Sequence, residues 1–353
     1  MSGAIPQTGC TLDLSSLDLR YILRRLGTSA VVLLGAVTLT FILSRVVSAN
    51  PISAWLGKGG NPELVALYTE AYHLNDPLYV QYFYYINGLI HLDFGYSPSR
   101  HEPVVAALAQ TWPYTLQLLF FSMIFTAILG IAAGLLSAKH AGRVPEKAIR
   151  VSYIASTASP PFLVPLILVL VFSTLIPILP TSGPIDPGMS LPTRISGIPM
   201  VDAMIEGNWP AFASLIGHVI LPSVAIALTL YGFLTRMVSS SITEVLGSNF
   251  VRAARARGVS EKVVLYSYGL KNSMLQVITM FSLLLTFALV NDVFVENICS
   301  YPGLGQYAVI SAVISDYPGI LATTLVFATV IVVSNLVADL LYFTVDPRVR
   351  IRR

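Results

Sequence analysis

The side chains that could do chemistry in this chain are few, and most lie where chemistry is costly. Asn291 and Asp292 sit side by side in an apolar run, and Asp339 lies in a later run. A carboxyl at such depth has to be paired, hydrated or neutral. Asp292 can therefore line a passage and meet a cationic or hydroxyl-rich substrate, serve as a packed, hydrogen-bonded structural acid, or sit at the interface near the outer end of its span. The histidines at 73, 91, 101, 140 and 218 show no metal-ligand spacing, so no metal is expected. His218 lies in an apolar run, but no GxSxG setting accompanies it to suggest a protease. Gly57-Lys58 is followed by Gly59 and is no phosphate loop, so the chain is not expected to hydrolyse ATP itself. Cys10 and Cys299 fall on opposite sides of the inferred membrane and cannot pair.

The elements that must position these groups follow from composition. With 55% hydrophobic and 11% charged residues and mean hydropathy +0.73, a soluble globular chain is excluded. Six runs approach the roughly 20 apolar residues that cross a hydrocarbon core: 26–47, 114–138, 152–179, 214–235, 274–298 and 319–344. Bare backbone polar groups are intolerable in lipid, so these runs should be helices. The expected fold is an all-α polytopic membrane protein with six transmembrane helices.

Orientation follows from Lys and Arg. Seventeen of the 21 lie in the N-terminal tail, the loops after the second and fourth spans, and the C-terminal tail. Both termini are thus expected in the cytoplasm of a cell-membrane protein. The segments are a tail (1–25), a first span (26–47), an external cap region (48–113), a core of five helices (114–344) carrying a cytoplasmic loop (236–273), and a C-terminal tail (345–353). Val47-Ser48-Ala49 has the small-residue look of a signal cleavage site, but the apolar run is too long and its leading tail too extended for a signal peptide. The external stretch 180–210 is rich in Pro and Gly and reads as irregular.

Several spans carry more than an anchor needs. Pro160, Pro161 and Pro165 interrupt the third and Pro222 the fourth; proline removes a backbone donor and kinks a helix. Both a lined pathway and plain bundle packing tolerate such prolines. Gly130 and Gly134 form a GxxxG pair suited to close helix packing.

The cytoplasmic loop holds the most distinctive stretch, Ser248 to Lys271. Ser248 or Asn249 can cap a helix over 250–257, Gly258 can end it with a left-handed residue, and Ser260-Glu261 starts another. Phe250, Val251, Ala254 and Val259 offer an apolar contact face, and Arg252, Arg255 and Arg257 supply charge. From these residues alone, docking on a protein and lying on anionic lipid both remain open.

Asn249-Phe250-Val251-Arg252-Ala253-Ala254-Arg255-Ala256-Arg257-Gly258 resembles the cytoplasmic EAA loop of ABC importer permeases, in the form found in the dipeptide/oligopeptide (and nickel) family. The resemblance runs nearly end to end. It includes Tyr21 to Leu26, Asp76 to Tyr82, Asp93 to Ser97, Ser159-Pro160-Pro161-Phe162, His218-Leu221-Pro222, Glu296, Pro302-Gly303-Leu304-Gly305, Asp316-Tyr317-Pro318 and Asp346-Pro347-Arg348.

The resemblance implies a B-type permease that pairs with a second, homologous permease subunit. Two cytoplasmic ATPase subunits would hold ATP and Mg, and an external binding protein would deliver substrate; this chain would hold no cofactor and bind no nucleic acid. It also implies that Asn249 to Gly258 couples to the ATPase, with Phe250 and Val251 as groove anchors. Asn291, Asp292, Glu296, Pro302, Gly303, Gly305 and Asp316 would serve the pathway or an external gate. Peptides are the substrate class expected, with oligosaccharides or nickel as alternatives. The chain departs from the pattern at Asn249, where an acid is common, at Tyr268, near a missing histidine, and at Gln276, where proline is common. An ion-coupled secondary transporter would need an inverted repeat and paired buried acids, and no repeat is visible. An anchoring or assembly protein fits the kinked, glycine-bearing spans less well.

Overall fold

The computed structural model describes residues 19–47, 62–71, 73–97 and 100–345. The signal-like Val47-Ser48-Ala49 step, Gly57-Lys58, Cys10 and both tails beyond those limits lie wholly or partly outside the described residues. The described residues are mostly helical. In order run α1 (Leu19–Val47), α2 (Pro62–Ala71), α3 (Leu78–Ile90), a two-residue hairpin of β1 (Tyr96–Ser97) and β2 (Glu102–Pro103), α4 (Val104–Lys139), α5 (Val144–Ala158) and α6 (Leu163–Leu170). Then come α7 (Pro199–Glu206), α8 (Trp209–Leu246), α9 (Asn249–Ala256), α10 (Glu261–Val263), α11 (Lys271–Ile298), α12 (Leu304–Val313) and α13 (Tyr317–Val345). Among the described residues, five helices are long and apolar enough to span a membrane, and the bent pair α5–α6 supplies a sixth crossing if it acts as one span.

The third span, expected over 152–179 with interruptions at Pro160, Pro161 and Pro165, is broken more sharply and bounded differently. The α5 helix starts at Val144, and at Ser159–Phe162 the axis turns by 106° into α6. Ser159 is extended (φ −74°, ψ 135°), the conformation a following proline imposes, and Pro160-Pro161 removes two successive backbone donors. Pro165 falls in the first turn of α6, where a missing N–H costs nothing. A π-helical turn, Val171–Leu175, continues α6 and ends the helical stretch short of 179. Pro222 is buried inside α8 without interrupting it.

Other boundaries also shift. The second span reaches back through Pro113 to Val104, so the last ten residues assigned to the cap region belong to α4. The 180–210 stretch is not irregular throughout, because it contains α7, whose buried Asp202 organises the turn before it. The Asp202 carboxyl accepts from Ser196 N–H (2.5 Å), Ser196 Oγ–H (2.6 Å) and Gly197 N–H (3.1 Å). Burial pushes this carboxyl up, but the hydrogen bonds from Ser196, Ile195 and Gly197 outweigh it and hold it below its usual range. The turn is therefore stable at neutral pH and weakens only as pH falls through that lowered value. Asp202→Ala should speed exchange of the Ser196 and Gly197 amides by about tenfold or more, since charge-assisted bonds contribute roughly 1.5–3 kcal/mol. Unchanged exchange would show that the turn holds without the carboxyl.

The core is built around α8, which packs against α4, α5, α6, α7 and α11. The GxxxG pair sets its closest approach. A Cβ on Gly130 would lie 2.7 Å from Leu234 Cβ, and one on Gly134 2.6 Å from Val238 Cβ. Two glycines four apart thus seat two side chains four apart on the facing helix, as small-residue membrane packing requires. Gly130→Val should force α4 and α8 apart and cost about 1–3 kcal/mol, seen as a lower apparent melting temperature in detergent. A melting point equal to wild type would mean the two helices are not held at this distance.

Candidate functional site

Three regions place the residues singled out from the sequence. The first is the turn between α8 and α11. Ser248 occupies the N-cap of α9 in extended conformation, but its hydroxyl makes no cap bond. It donates instead to Val245 O (2.5 Å) in the preceding helix, so neither expected cap residue caps through its side chain. Gly258 does end the helix in left-handed conformation (φ 81°). Val259 N–H donates to Ala254 O (3.2 Å) and Gly258 N–H to Arg255 O (2.9 Å), the paired bonds of a Schellman stop.

The expected contact face of α9 divides in two. Val251 and Ala254 are fully buried in this chain, where α9 meets the end of α8 and the π-helical turn Val264–Leu270. Val251 is therefore an internal anchor, not one free to enter a partner's groove. Phe250, half exposed, stays outward near Tyr268. Asn249, Arg252, Ala253, Arg255, Arg257 and Gly258 are exposed as well. Across the turn, Arg255 Nε and Nη2 donate to the two Glu261 carboxyl oxygens at 2.7 and 3.1 Å. That bidentate contact holds the Glu261 carboxyl below its usual range, so the clamp is present at neutral pH and lost as pH falls through the lowered value. Sequence reading named Arg255 but missed Glu261 as its partner.

The second region lies at the far end of α11. Glu296 is fully buried. Thr115 Oγ1–H donates to Glu296 Oε1 (2.6 Å) and Gln306 N–H to Oε2 (2.9 Å), while Leu304 N–H donates to Thr115 Oγ1 (2.8 Å). The carboxyl thus sits against the N-terminus of α12, where free N–H groups and the helix dipole favour it. The Pro302-Gly303-Leu304-Gly305 loop wraps it so closely that a Cβ on Gly303 would fall inside the carboxyl group, and one on Gly305 would lie 2.6 Å from Val293 Cα. Thr115 is the residue that sequence reading passed over as a functional partner here.

Asp292, one turn back, is also fully buried. Its carboxyl lies beside that of Glu296, which is its side-chain neighbour. Asn291 is satisfied within the bundle: Thr229 Oγ1–H donates to its Oδ1 (3.1 Å), and its Nδ2 donates to Phe287 O (2.8 Å). All three are buried within the chain in this conformation, which places Asp292 as a packed acid beside Glu296.

The third region joins α13 to the hairpin. Asp316 is buried and caps α13, accepting from Gly319 N–H (3.0 Å), and the Ser97 hydroxyl donates to its other oxygen. Arg100 stacks over the Tyr307 ring at 4.9 Å. Val104, Leu108, Leu304, Tyr307 and Ala322 form a small second core here, separate from the main bundle. The Asp93–Ser97 segment and Asp316 were picked separately from the sequence; the fold brings them into contact.

His218 Nδ1 bonds Ser214 O (2.9 Å), and its Nε2 lies 3.9 Å from Asp186. Ser214 Oγ–H donates to Asp186 (2.6 Å), not to the histidine, so the trio lacks the nucleophile–base contact that acyl transfer needs. No group of three or more metal-binding side chains occurs among the described residues.

Comparison with known proteins identifies a family. Residues 130–351 match the family described as binding-protein-dependent transport system inner membrane component, and residues 18–119 match the N-terminal region of such components. The chain is 34% identical over 330 residues to the oligopeptide transport system permease protein AppB of Bacillus subtilis, covering 93% of this chain and 98% of that one. It is 31% identical over 318 residues to the probable D,D-dipeptide transport system permease protein DdpB of Escherichia coli, covering 90% and 94%. It is 33% identical over 338 residues to the dipeptide transport system permease protein DppB of Alkalihalophilus pseudofirmus, covering 94% and 99%. With a family match across well over half its length and a multi-pass helical fold to suit, the chain belongs to the binding-protein-dependent transport system inner membrane components.

Proposed function

We propose that this chain is one of two permease subunits of an ATP-driven ABC importer of di- and oligopeptides. The relatives' names favour peptides over the oligosaccharide and nickel alternatives. The observation that carries the coupling role is the exposed face of α9. A short helix held rigidly from behind by Val251 and Ala254, and stopped by Gly258, presents Phe250, Arg252, Ala253 and Arg257 to an outside partner. In this reading two cytoplasmic ATPases, carrying ATP and Mg, receive that face, the termini are cytoplasmic, and an external binding protein delivers substrate on the opposite side.

The α11 helix is the lever. Its inner end follows the π-helical turn on which α9 rests, and its outer end carries Glu296, clasped by α12. Because Glu296, Gly303, Gly305 and Asp316 are buried within the chain, they act as parts of an outer gate rather than as pathway lining. ATPase closure would move α11, and the clasp would carry the motion to α12.

Purification tests the assembly. The chain should bring down a second permease and two ATPase subunits in stoichiometric amounts, and reconstituted complex should take up peptides only with ATP and the binding protein. Purification alone, or ATP-independent uptake driven by an ion gradient, would sink the importer reading.

A further inference from the structure

The α3 helix faces the wrong way for a solvated cap. Its sequence, LYVQYFYYINGLI, has one strongly polar residue in the first two turns, Gln81, and that residue is buried. The Gln81 amide donates to Leu74 O (3.2 Å) and Asp76 O (2.9 Å) within the chain. Outward instead point Tyr79, Phe83 and Ile90, exposed by 76%, 70% and 74%. With the half-buried Ile86 they recur at spacings of four, three and four, a single stripe along the helix. Leu78 and Leu92 extend the apolar surface at either end. A helix that buries its glutamine and exposes its phenylalanine and isoleucine is not packed for water.

The depth of α3 follows from its contacts with α1. Tyr82 Oη and Thr38 Oγ1 share a hydrogen bond of 2.6 Å, and the Phe41 ring packs edge-on against Tyr82 and stacks on Tyr85. Thr38 and Phe41 lie inside the apolar span Leu23–Leu43. At 1.5 Å per residue they sit about 14 and 9 Å from Val47, the outer end of α1. That places the α3 contacts in the outer part of the span, within reach of the headgroup and acyl boundary that in-plane helices enter by roughly 5–10 Å. The neighbouring surface of α1 is apolar and open too, with Leu39, Ile42 and Leu43 about half exposed or more, and only 11% of that span is buried. The stripe thus belongs to a helix that packs on the least buried span, whose own exposed side chains are apolar.

We propose that α3 is an in-plane membrane helix. Its Tyr79–Phe83–Ile86–Ile90 stripe is immersed in the lipid boundary of the leaflet next to the 48–113 segment, and its tyrosines form part of an aromatic belt. Part of the expected aqueous cap is then a membrane anchor that fixes the height of the hairpin and its Ser97–Asp316 contact.

The test places an environment-sensitive bimane label at Tyr79→Cys, Phe83→Cys or Ile90→Cys, with Cys10 and Cys299 replaced by alanine. A Lys262→Cys control sits in the exposed loop at the other end of the bundle. The full-length chain in its native complex is reconstituted in nanodiscs of ordinary or acyl-brominated phosphatidylcholine, and aqueous iodide serves as the second quencher. Brominated lipid should quench the three α3 labels about twofold or more, with little effect of iodide, and the control should show the reverse. Iodide quenching at α3 would place the stripe in water and overturn the proposal. Protection from both quenchers would place it under a protein partner and overturn it equally. Because brominated lipid occupies both leaflets, the result does not depend on the membrane orientation or on the importer reading.

Discussion

Replacing Gly303 by alanine should destabilise the protein by about 3 kcal/mol or more, and removing the Glu296 carboxyl at the same time should restore part of that loss. The added methyl falls inside the Glu296 carboxyl, and nearby backbone blocks retreat, since Gly305 already approaches Val293 Cα. Glu296 would have to swing away, giving up Thr115 Oγ1–H and Gln306 N–H and losing its contact with the start of α12. A buried carboxylate stripped of its donors costs several kcal/mol. Glu296→Ala alone should be damaging for the complementary reason: it leaves the Gln306 N–H and the Thr115 hydroxyl short of a partner, beside a cavity. In the double variant the new methyl occupies space the carboxyl has left. The coupling should therefore be favourable by about 1–3 kcal/mol, read from apparent melting temperatures of the wild type, both single variants and the double. Strict additivity would show that Gly303 and Glu296 do not share this space.

Whether such a site can be read in advance depends on how far apart its parts lie. The long spans were legible because lipid leaves the backbone no alternative to helix, so length and apolarity decide the matter. Gly258 was legible because a single residue carries the left-handed stop. The Glu296 clasp was not. Its hydroxyl partner, Thr115, is 181 residues away, and no local signal pairs that threonine with Glu296. The same holds for Ser97 and Asp316, 219 residues apart. Pro160-Pro161 announced a break, but the 106° turn reflects how α5 packs on α8, where Gly232 lets the Tyr153 carbonyl approach. On α9 the sequence offered two adjacent apolar residues, Phe250 and Val251. About 100° separates neighbours on a helix, so one had to face inward, and only the position of the Val264–Leu270 turn determines which.

Gly258→Val should uncouple ATP hydrolysis from transport. Peptide uptake should fall by about an order of magnitude or more, while the amount of inserted protein stays unchanged. At φ 81° a residue with a side chain pays roughly 1–2 kcal/mol, and a β-branched one more. No neighbouring atom crowds the position, so the penalty is in the backbone and not in packing. Relief comes only by rotating the residue out of the left-handed region. That breaks the Val259–Ala254 and Gly258–Arg255 bonds and swings α9 against α10. The buried side of α9, Val251 and Ala254, resists this motion, as does the Arg255–Glu261 clamp. The strain therefore appears as a misplaced outer face, with Phe250, Arg252 and Ala253 no longer in register for the proposed ATPase partner. Asparagine tolerates the left-handed region through its short polar side chain, so Gly258→Asn should keep most of the transport. Ranking glycine, asparagine and valine by uptake per inserted molecule separates conformation from bulk, because asparagine and valine are similar in size. If asparagine fails as badly as valine, side-chain presence at the ATPase surface, and not backbone geometry, governs the turn. If valine transports normally, the coupling contact lies elsewhere on the cytoplasmic face.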